Sequence, residues 1–238
     1  MTNKDITKIY FCGDEITALY QGSTLIFKKS SGGGKSIIRG KVDDECTDEN
    51  IIITYNGNKV SLNINTDKTF EYDTDEVLTN GRNMFYRLGW IEKLDVSNFD
   101  TSNVTDMYGM LEGLGRLTSL DVSNFDTSNV TNMGYMFIYC TRLIDLYLNF
   151  NVGNTEGFQQ MFGDCISLTN VVGKFEGTEN NLDLHYSPLT AASAMVFING
   201  LATVTEKRTL KLSATTYDSL TPEQIAIATS KGWTVTRN

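Results

Sequence analysis

The sequence predicts an α/β (α+β) repeat fold, with one strand and one helix per unit of about 26 residues and small all-β modules in front. Two observations predict the repeats. The segment Leu94–Thr105 recurs without change as Leu120–Thr131, 26 residues later. A Met-Phe or Met-Leu pair recurs at a similar step, beginning at Met84, Met110, Met136 and Met161. Units of this kind bury their apolar faces against their neighbours, so we expect them to stack.

The spacing of apolar residues within a unit assigns its two elements. One helix face is indicated by Val104, Met107, Leu111 and Leu114. Asn103 and Asn129 stand where a helix cap belongs. The preceding Leu-x-x-Leu-Asp-Val segment predicts a short strand. One strand and one helix per unit of this length is the plan of a leucine-rich-repeat solenoid, with a parallel sheet on one side and helices on the other.

The repeat motif also carries a family resemblance. Leu-Asp-Val-Ser-Asn-Phe-Asp-Thr-Ser-Asn-Val-Thr-x-Met-x-x-Met-Phe resembles the BspA-like leucine-rich repeats, also described as the mycoplasma-lipoprotein-type 25-residue repeat. The resemblance covers residues 80–175 and is closest in the two central units. In the third unit, Leu146–Thr155 keeps the apolar frame and loses the Asp-x-Ser-Asn surface. The segments Ser187–Thr190 and Ala228–Trp233 resemble the C-terminal cap of such repeats in gut-bacterial and phage proteins, which implies a gut-phage or Bacteroides-type protein.

The chain divides into five segments by composition. A three-stranded β-meander is expected first, as an attachment module, followed by a Gly/Ser linker. The next module contains Asn56-Gly57, a strong hairpin signal, and is either Ig-like or an N-terminal cap of the solenoid. In the last segment, Ser187-Pro188 predicts a helix start, Gly200 its end, and Thr221–Gln224 a capping box for a second helix. The segments are 1–29 (meander), 30–35 (linker), 36–80 (β module), 81–175 (repeats) and 176–238 (capping repeats).

Charge and residue usage argue against several functions. The net charge of −9 disfavours a nucleic-acid partner, and no apolar stretch is long enough for insertion into a membrane. A metal or cofactor is not expected, because the cysteines lack ligand spacing and His185 is the only histidine. Cys140 and Cys165 share a repeat position, which predicts buried packing. With no catalytic motif, and no carboxyl expected to have a raised pKa, the sequence predicts a protein that is not an enzyme.

The repeated polar residues are the candidate ligand-contact ladder. One interpretation is that they satisfy the backbone at turns, as asparagine ladders do. The other is a surface that binds glycans, a protein or Ca²⁺, with sugar stacking on aromatic side chains. The ladder comprises Asp95, Ser97, Asn98, Asp100, Thr101, Asp121, Ser123, Asn124, Asp126 and Thr127. The aromatic candidates are Trp90, Tyr108, Tyr135, Tyr139 and Tyr147, which also suit packing between repeats.

These features together predict a non-enzymatic structural or binding module. We expect a phage virion protein, in a tail, fibre or decoration, that contacts a host cell or other virion proteins. The alternative is a bacterial cell-surface BspA-like adhesin that binds host proteins or glycans. The first residues, Met1–Asp5, predict no signal peptide, so the expected location is the virion, or the cytoplasm before release, with the cell surface as the alternative. A homo-oligomer that forms through the N-terminal module is a further alternative.

Overall fold

The computed structural model describes the backbone of residues 6–11, 14–21 and 24–27, and both backbone and side chains of residues 36–238. The first three segments are antiparallel strands that pair in sequential order: β1 (Ile6–Phe11), β2 (Asp14–Gln21) and β3 (Thr24–Phe27). The meander predicted for residues 1–29 is present over these segments. The predicted linker at 30–35 lies outside the described residues.

Four strands follow in the next module: β4 (Ser36–Val42), β5 (Asn50–Tyr55), β6 (Asn58–Asn63) and β7 (Thr69–Thr74). The hairpin predicted at Asn56-Gly57 is confirmed, because β5 and β6 pair in antiparallel register on either side of it. Both turn residues have positive φ, 48° for Asn56 and 81° for Gly57, as a two-residue hairpin turn that matches the strand twist requires.

The sheet of this module continues into the repeats. Strand β4 pairs on one side with β7 and on the other with β8 (Ile91–Asn98), the first strand of the repeat region. The backbone N–H of Thr54 also donates to the carbonyl of Met84, at 2.9 Å. Residues on both sides of the predicted boundary at residue 80 therefore share one sheet.

The later repeat strands form a parallel sheet in the order β11-β10-β9. These strands are β9 (Ser119–Val122), β10 (Asp145–Asn151) and β11 (Asn170–Glu176). Equivalent repeat positions pair across it, since Leu146 is opposite both Leu120 and Val171. These three side chains are buried, so the sheet presents one face to the core.

The C-terminal segment combines a second parallel sheet with helices. Its strands are β12 (Leu182–Leu184), β13 (Arg208–Leu212) and β14 (Trp233–Arg237), and its helices are α1 (Ala191–Gly200), α2 (Ala214–Asp218) and α3 (Pro222–Ser230). The capping box at Thr221 and Gln224 is confirmed. The helix start predicted at Ser187-Pro188 is wrong: Thr190 caps α1, and Ser187 belongs to a turn in which its N–H donates to Leu184.

The prediction of one helix per repeat unit is also wrong. Within residues 36–238, the helices are α1, α2 and α3, all of them C-terminal to the repeats. The segments predicted as helices are runs of tight turns, and Asn129 caps no helix, because its side-chain amide donates to the carbonyl of Ser102 at 2.9 Å.

Left-handed residues explain why these segments are not helical. Each unit contains two residues with positive φ, four positions apart, which turn alternate N–H groups out of the segment and toward the next unit. In one unit, the N–H groups of Gly109, Leu111 and Gly113 donate to carbonyls of the following unit at 2.8–3.0 Å. The left-handed pairs are Asn83 and Arg87, Gly109 and Gly113, Tyr135 and Tyr139, and Gln160 and Asp164.

The predicted leucine-rich-repeat solenoid is therefore wrong as an architecture. The described strands form five small sheets, and β8 pairs with the antiparallel β4 instead of extending the parallel sheet of β9–β11. The repeat nevertheless fixes the core, because the anchors Met84, Met110, Met136 and Met161 are all fully buried. The burial predicted for Cys140 and Cys165 is confirmed, and their thiols donate to the carbonyls of Leu111 and Phe137.

Candidate functional site

The aspartates of the predicted contact ladder close local turns. Asp95 Oδ1 and Asp121 Oδ1 accept from the N–H groups two residues later, both at 2.9 Å. Asp100 Oδ1 accepts from both the N–H and the hydroxyl of Ser102, and Asp126 accepts in the same way from Ser128. Hydrogen bonds from the serine backbone lower the pKa of Asp95 and of Asp100.

Three other ladder residues connect neighbouring units. Thr101 and Thr127 are buried, and their hydroxyls donate to the carbonyls of Asp126 and Asn151, at 3.1 and 2.8 Å. The side-chain amide of Asn124 donates to the carbonyl of Val96 at 2.9 Å. These contacts are those of the turn-and-backbone interpretation.

The remaining ladder residues have fewer contacts. Ser97 is exposed and Ser123 is half-buried, and Asn98 is exposed opposite Ile37 in the β4–β8 pair. A ligand-contact role for the ladder as a whole stays a prediction.

A groove that was not predicted from the sequence crosses three repeat units. Asp106, Asn132 and Gly157 are aligned by parallel bridges and occupy equivalent positions in successive units. The groove has a volume of about 460 Å³. Its lining residues are Thr105, Asp106, Tyr108, Thr131, Asn132, Gly134, Glu156, Gly157 and Gln159, which we call the repeat groove.

Turn geometry holds the floor of the repeat groove in place. Asp106 Oδ1 accepts from the N–H of Tyr108 at 2.9 Å, and Asn132 Oδ1 accepts from that of Gly134 at 3.1 Å. Each of these side chains closes a turn around its own backbone. The carboxylate of Asp106 also pairs with Arg82, at 3.2 Å between Oδ2 and Nη1.

An exchange of tyrosine and glycine between units shapes the groove. Tyr108-Gly109 in one unit is replaced by Gly134-Tyr135 in the next. The ring of Tyr108 lies over Gly134, where an added Cβ would come within 3.3 Å of the ring. Arg82 lies 4.1 Å from the centroid of the same ring, and the Tyr135 ring centroid lies 5.2 Å away. This exchange is the sequence signal by which the groove could have been found.

Several polar groups of the repeat groove have no partner among residues 36–238. The side chains of Glu156 and Gln159 are exposed and make no hydrogen bond or ion pair there. The amide nitrogen of Asn132 is also unpaired, since only its oxygen closes the turn. The groove therefore offers a carboxylate and two amides to a bound molecule.

The other aromatic candidates lie elsewhere. Trp90 is 41% exposed and has Arg116 over its ring, 4.5 Å from the centroid. It borders a second groove of about 510 Å³, which also contains Asp48, Glu49 and Arg87. Tyr139 and Tyr147 are exposed and line neither groove.

His185, the single histidine of the sequence, lies beside a paired carboxylate. The His185 imidazole contacts Asp183, which also pairs with Lys211 at 3.3 Å. Over the described part of the chain, no group of three or more His, Cys, Asp and Glu side chains could hold a metal ion. No helix there is long and apolar enough to cross a membrane.

Comparison with known proteins gives one family. The model of the family described as "Mycoplasma protein of unknown function, DUF285" matches residues 54–176, from the end of β5 to the end of β11. No curated protein and no solved structure matches the chain. The match spans more than half of the 238 residues and includes every repeat unit and the whole repeat groove. The chain therefore belongs to this mycoplasma family of unknown function.

Proposed function

We propose that the protein is a non-enzymatic binding module that presents the repeat groove to a ligand on another surface. The proposal rests on one observation. Several Asp, Thr and Asn side chains of the repeats bond to the backbone. By contrast, no hydrogen bond within residues 36–238 is made by the side chains of Glu156 and Gln159 or by the amide nitrogen of Asn132. Exposed polar groups without internal partners are available to a ligand.

The hydrogen bonds around the groove favour this role. The turns at Asp106 and Asn132 and the bridges between units fix the backbone that carries the unpaired groups. A ligand that binds such a surface loses little free energy to ordering the backbone, because the backbone is already held, and it orders only the Glu156 and Gln159 side chains.

The proposal also extends to the kind of particle or cell surface on which the module is carried. We assign the chain to the BspA-like proteins on the repeat motif, and to a phage particle on the order of small β module, Gly/Ser segment and repeats. In that setting, the groove would contact a host cell or another virion protein. A bacterial cell-surface adhesin that binds host proteins or glycans is the alternative and would use the same groove.

The binding role is tested by filling the groove. Gly157 has open space where a Cβ would stand, so Gly157→Phe places a ring in the groove without a clash at the backbone. Thr118→Phe, at an exposed position outside the groove, is the matched control. Fluorescently labelled wild-type protein and the control should bind cells of the host or of the source bacterium. Gly157→Phe should lose this binding with an unchanged melting temperature; equal binding by both variants would contradict the proposal.

The carrier is tested by locating the natural protein. Mass spectrometry of purified phage particles should detect its peptides if it is a virion component. Release of its peptides from intact cells by an external protease, with none in particles, would replace the virion assignment by the adhesin.

A further inference from the structure

We infer that the ligand of the repeat groove is a neutral, hydroxyl-rich oligosaccharide. The inference rests on the proposed binding function and adds the chemical class of the ligand. It follows from the kinds of groups in the groove, from their charge and from the extent of the groove.

The unpaired groups are those that recognise sugar hydroxyls. An amide offers donors and an acceptor side by side, and a carboxylate accepts through two oxygens. Gln159 and Glu156 come from the same unit, and Asn132 adds a donor from the preceding one. A hydroxyl both donates and accepts, so neighbouring hydroxyls of one sugar can satisfy all three side chains.

The lining has little to offer a protein ligand. Protein interfaces depend on a few large side chains that enter well-packed, desolvated pockets. The repeat groove contains no aliphatic side chain larger than the methyl group of threonine, and its aromatic lining is the Tyr108 ring. That ring has the Arg82 guanidinium 4.1 Å from its centroid and lies over Gly134, so what it offers to a ligand is its edge and its hydroxyl.

The charge of the groove favours neutral sugars over acidic ones. The carboxylate of Asp106 is neutralised by Arg82, whereas that of Glu156 has no cation within the described residues. The groove therefore carries an uncompensated negative charge on a protein of net charge −9. Sulfated, phosphorylated and sialylated glycans would be repelled.

The extent of the groove favours an oligosaccharide over a single sugar. The bridged positions Asp106, Asn132 and Gly157 place three units side by side. At the spacing of paired strands, these positions span about 10 Å. The unpaired groups stand on two neighbouring units, Asn132 on one and Glu156 and Gln159 on the next, so a chain of sugars that follows the stacking direction would reach all of them.

The test is a titration of the whole protein with defined sugars, followed by heteronuclear NMR. The neutral probes are maltohexaose, chitohexaose and mannohexaose, and the acidic probes are a heparin hexasaccharide and sialyllactose. At least one neutral probe should shift the resonances of Asn132, Glu156 and Gln159, whereas the acidic probes should not. Absence of binding by all three neutral probes, or stronger binding by an acidic one, would overturn the inference.

Single substitutions then assign the contacts. Gln159→Ala and Glu156→Gln should each weaken binding of the neutral probe by about tenfold, the usual effect of losing one good hydrogen bond. Glu179→Gln, an exposed glutamate outside the groove, should leave the affinity unchanged. Unchanged affinity in both groove variants would overturn the inference.

The cell-binding and sugar-binding experiments together distinguish a failure of this inference from a failure of the proposed binding function. If no neutral sugar binds but Gly157→Phe still abolishes cell binding, the ligand is of another class and the binding function stands. If Gly157→Phe leaves cell binding intact, the groove is not the binding surface and both proposals fail.

Discussion

At the centre of the repeats, the ring of Phe137 lies nearly parallel to that of Phe162, with 5.4 Å between their centroids and 9° between their planes. Phe150 stacks on it as well, at 6.4 Å. The side chain of Phe137 is fully buried, as the repeat register requires of a residue next to the Met136 anchor. A charge placed here would be buried among aromatic rings, away from solvent.

Phe137→Asp should therefore unfold the repeats, with a loss of stability of about 3–5 kcal/mol for a buried charge without a partner. Tyr139→Asp is the control, because Tyr139 is 45% exposed and aspartate adopts its left-handed backbone more readily than tyrosine does. Thermal melting followed by circular dichroism distinguishes them: only Phe137→Asp should lower the melting temperature sharply. Equal melting of Phe137→Asp and wild type would contradict the packing described for this site.

Glu112 shows a second residue-scale feature, which the sequence did not predict. Its side chain is only 10% exposed, and burial raises its pKa from the ordinary value of 4.5, while Arg87, at 3.8 Å, opposes the shift. The buried oxygen Oδ1 of Asn83 accepts no hydrogen bond. Both side chains border Gly109, where an added Cβ would contact Asn83 Oδ1 and lie 3.2 Å from Glu112 Oε2. The expectation that no carboxyl has a raised pKa was wrong, because it took every acidic residue to be solvated.

This raised pKa predicts a pH dependence with a definite sign. Glu112 contributes stability that is fully present below its unfolded pKa and is lost as the pH rises through the higher folded pKa. Glu112→Gln should therefore raise the melting temperature at pH 7, and the gain over wild type should shrink as the pH falls toward 4. Glu179→Gln should show no such trend. A gain that is constant with pH, or that grows on acidification, would contradict the assignment.

At the scale of elements, the turn segments show where sequence reasoning succeeds and where it stops. The apolar positions Val104, Met107, Leu111 and Leu114 are all buried, so the pattern identified the core correctly. The same pattern fits a helix and a chain of tight turns, because both turn an apolar side chain inward every three or four residues. Local hydrogen bonds within each unit do not settle the choice. The hydrogen bonds between units decide between a helix and tight turns, and these bonds cannot be read from the sequence of a single unit.

Gly113 makes this distinction measurable. Its φ is 75°, and an added Cβ would lie 3.2 Å from the Cα of Arg87 in the preceding unit. Gly113→Ala should cost about 1–2 kcal/mol, the usual penalty of a left-handed alanine, plus the cost of moving Arg87. Gly115→Ala, where the added Cβ has only ordinary contacts at 3.6 Å, is the matched control and should be neutral. Denaturant unfolding gives both values. In a helix, the change at Gly113 would instead be stabilising.

The candidate site was predictable only in part. Asp95 and Thr101 could be selected as repeated polar residues, but their bonding to backbone depends on the turn geometry. Glu156 and Gln159 fall in the unit that diverges from the motif, so a search for repeated residues passes over them. Their position beside Asn132 follows from the stacking of units, which only the folded chain displays.

At the scale of the whole molecule, the β module and the repeats are joined by more than their shared sheet. The Arg116 guanidinium, from the repeats, pairs with Asp43 and with Glu45, the latter at 3.2 Å. The N–H of Asp43 donates to the carbonyl of Trp90 at 2.8 Å. The hydrophobic core is likewise continuous from Ile38 to Trp233. We therefore expect residues 36–238 to unfold as one cooperative unit.

Buried thiols report on this cooperativity. Cys46 lies in the β module and Cys140 and Cys165 in the repeats, and all three are buried; burial raises the pKa of Cys140 to about 12 and that of Cys165 as well. In a Cys12→Ser variant, these three thiols should be unreactive toward a disulfide reagent in native buffer and should become reactive at one denaturant concentration. Modification of Cys46 at a lower concentration than the other two would show that the β module opens independently.

The alternating N–H groups of the turn segments have a consequence for assembly. Asn83, Phe85 and Arg87 donate to carbonyls of the second unit, and that unit donates in the same sense to the third. All these peptide dipoles point the same way along the stack, so its first unit presents carbonyls and its last presents N–H groups. At the first end, the N–H of Thr54 donates to the carbonyl of Met84. The last end is covered by helix α1, whose Phe197 ring lies 5.6 Å from the Phe162 ring, so the chain itself closes both ends of the stack and leaves neither to pair with another copy.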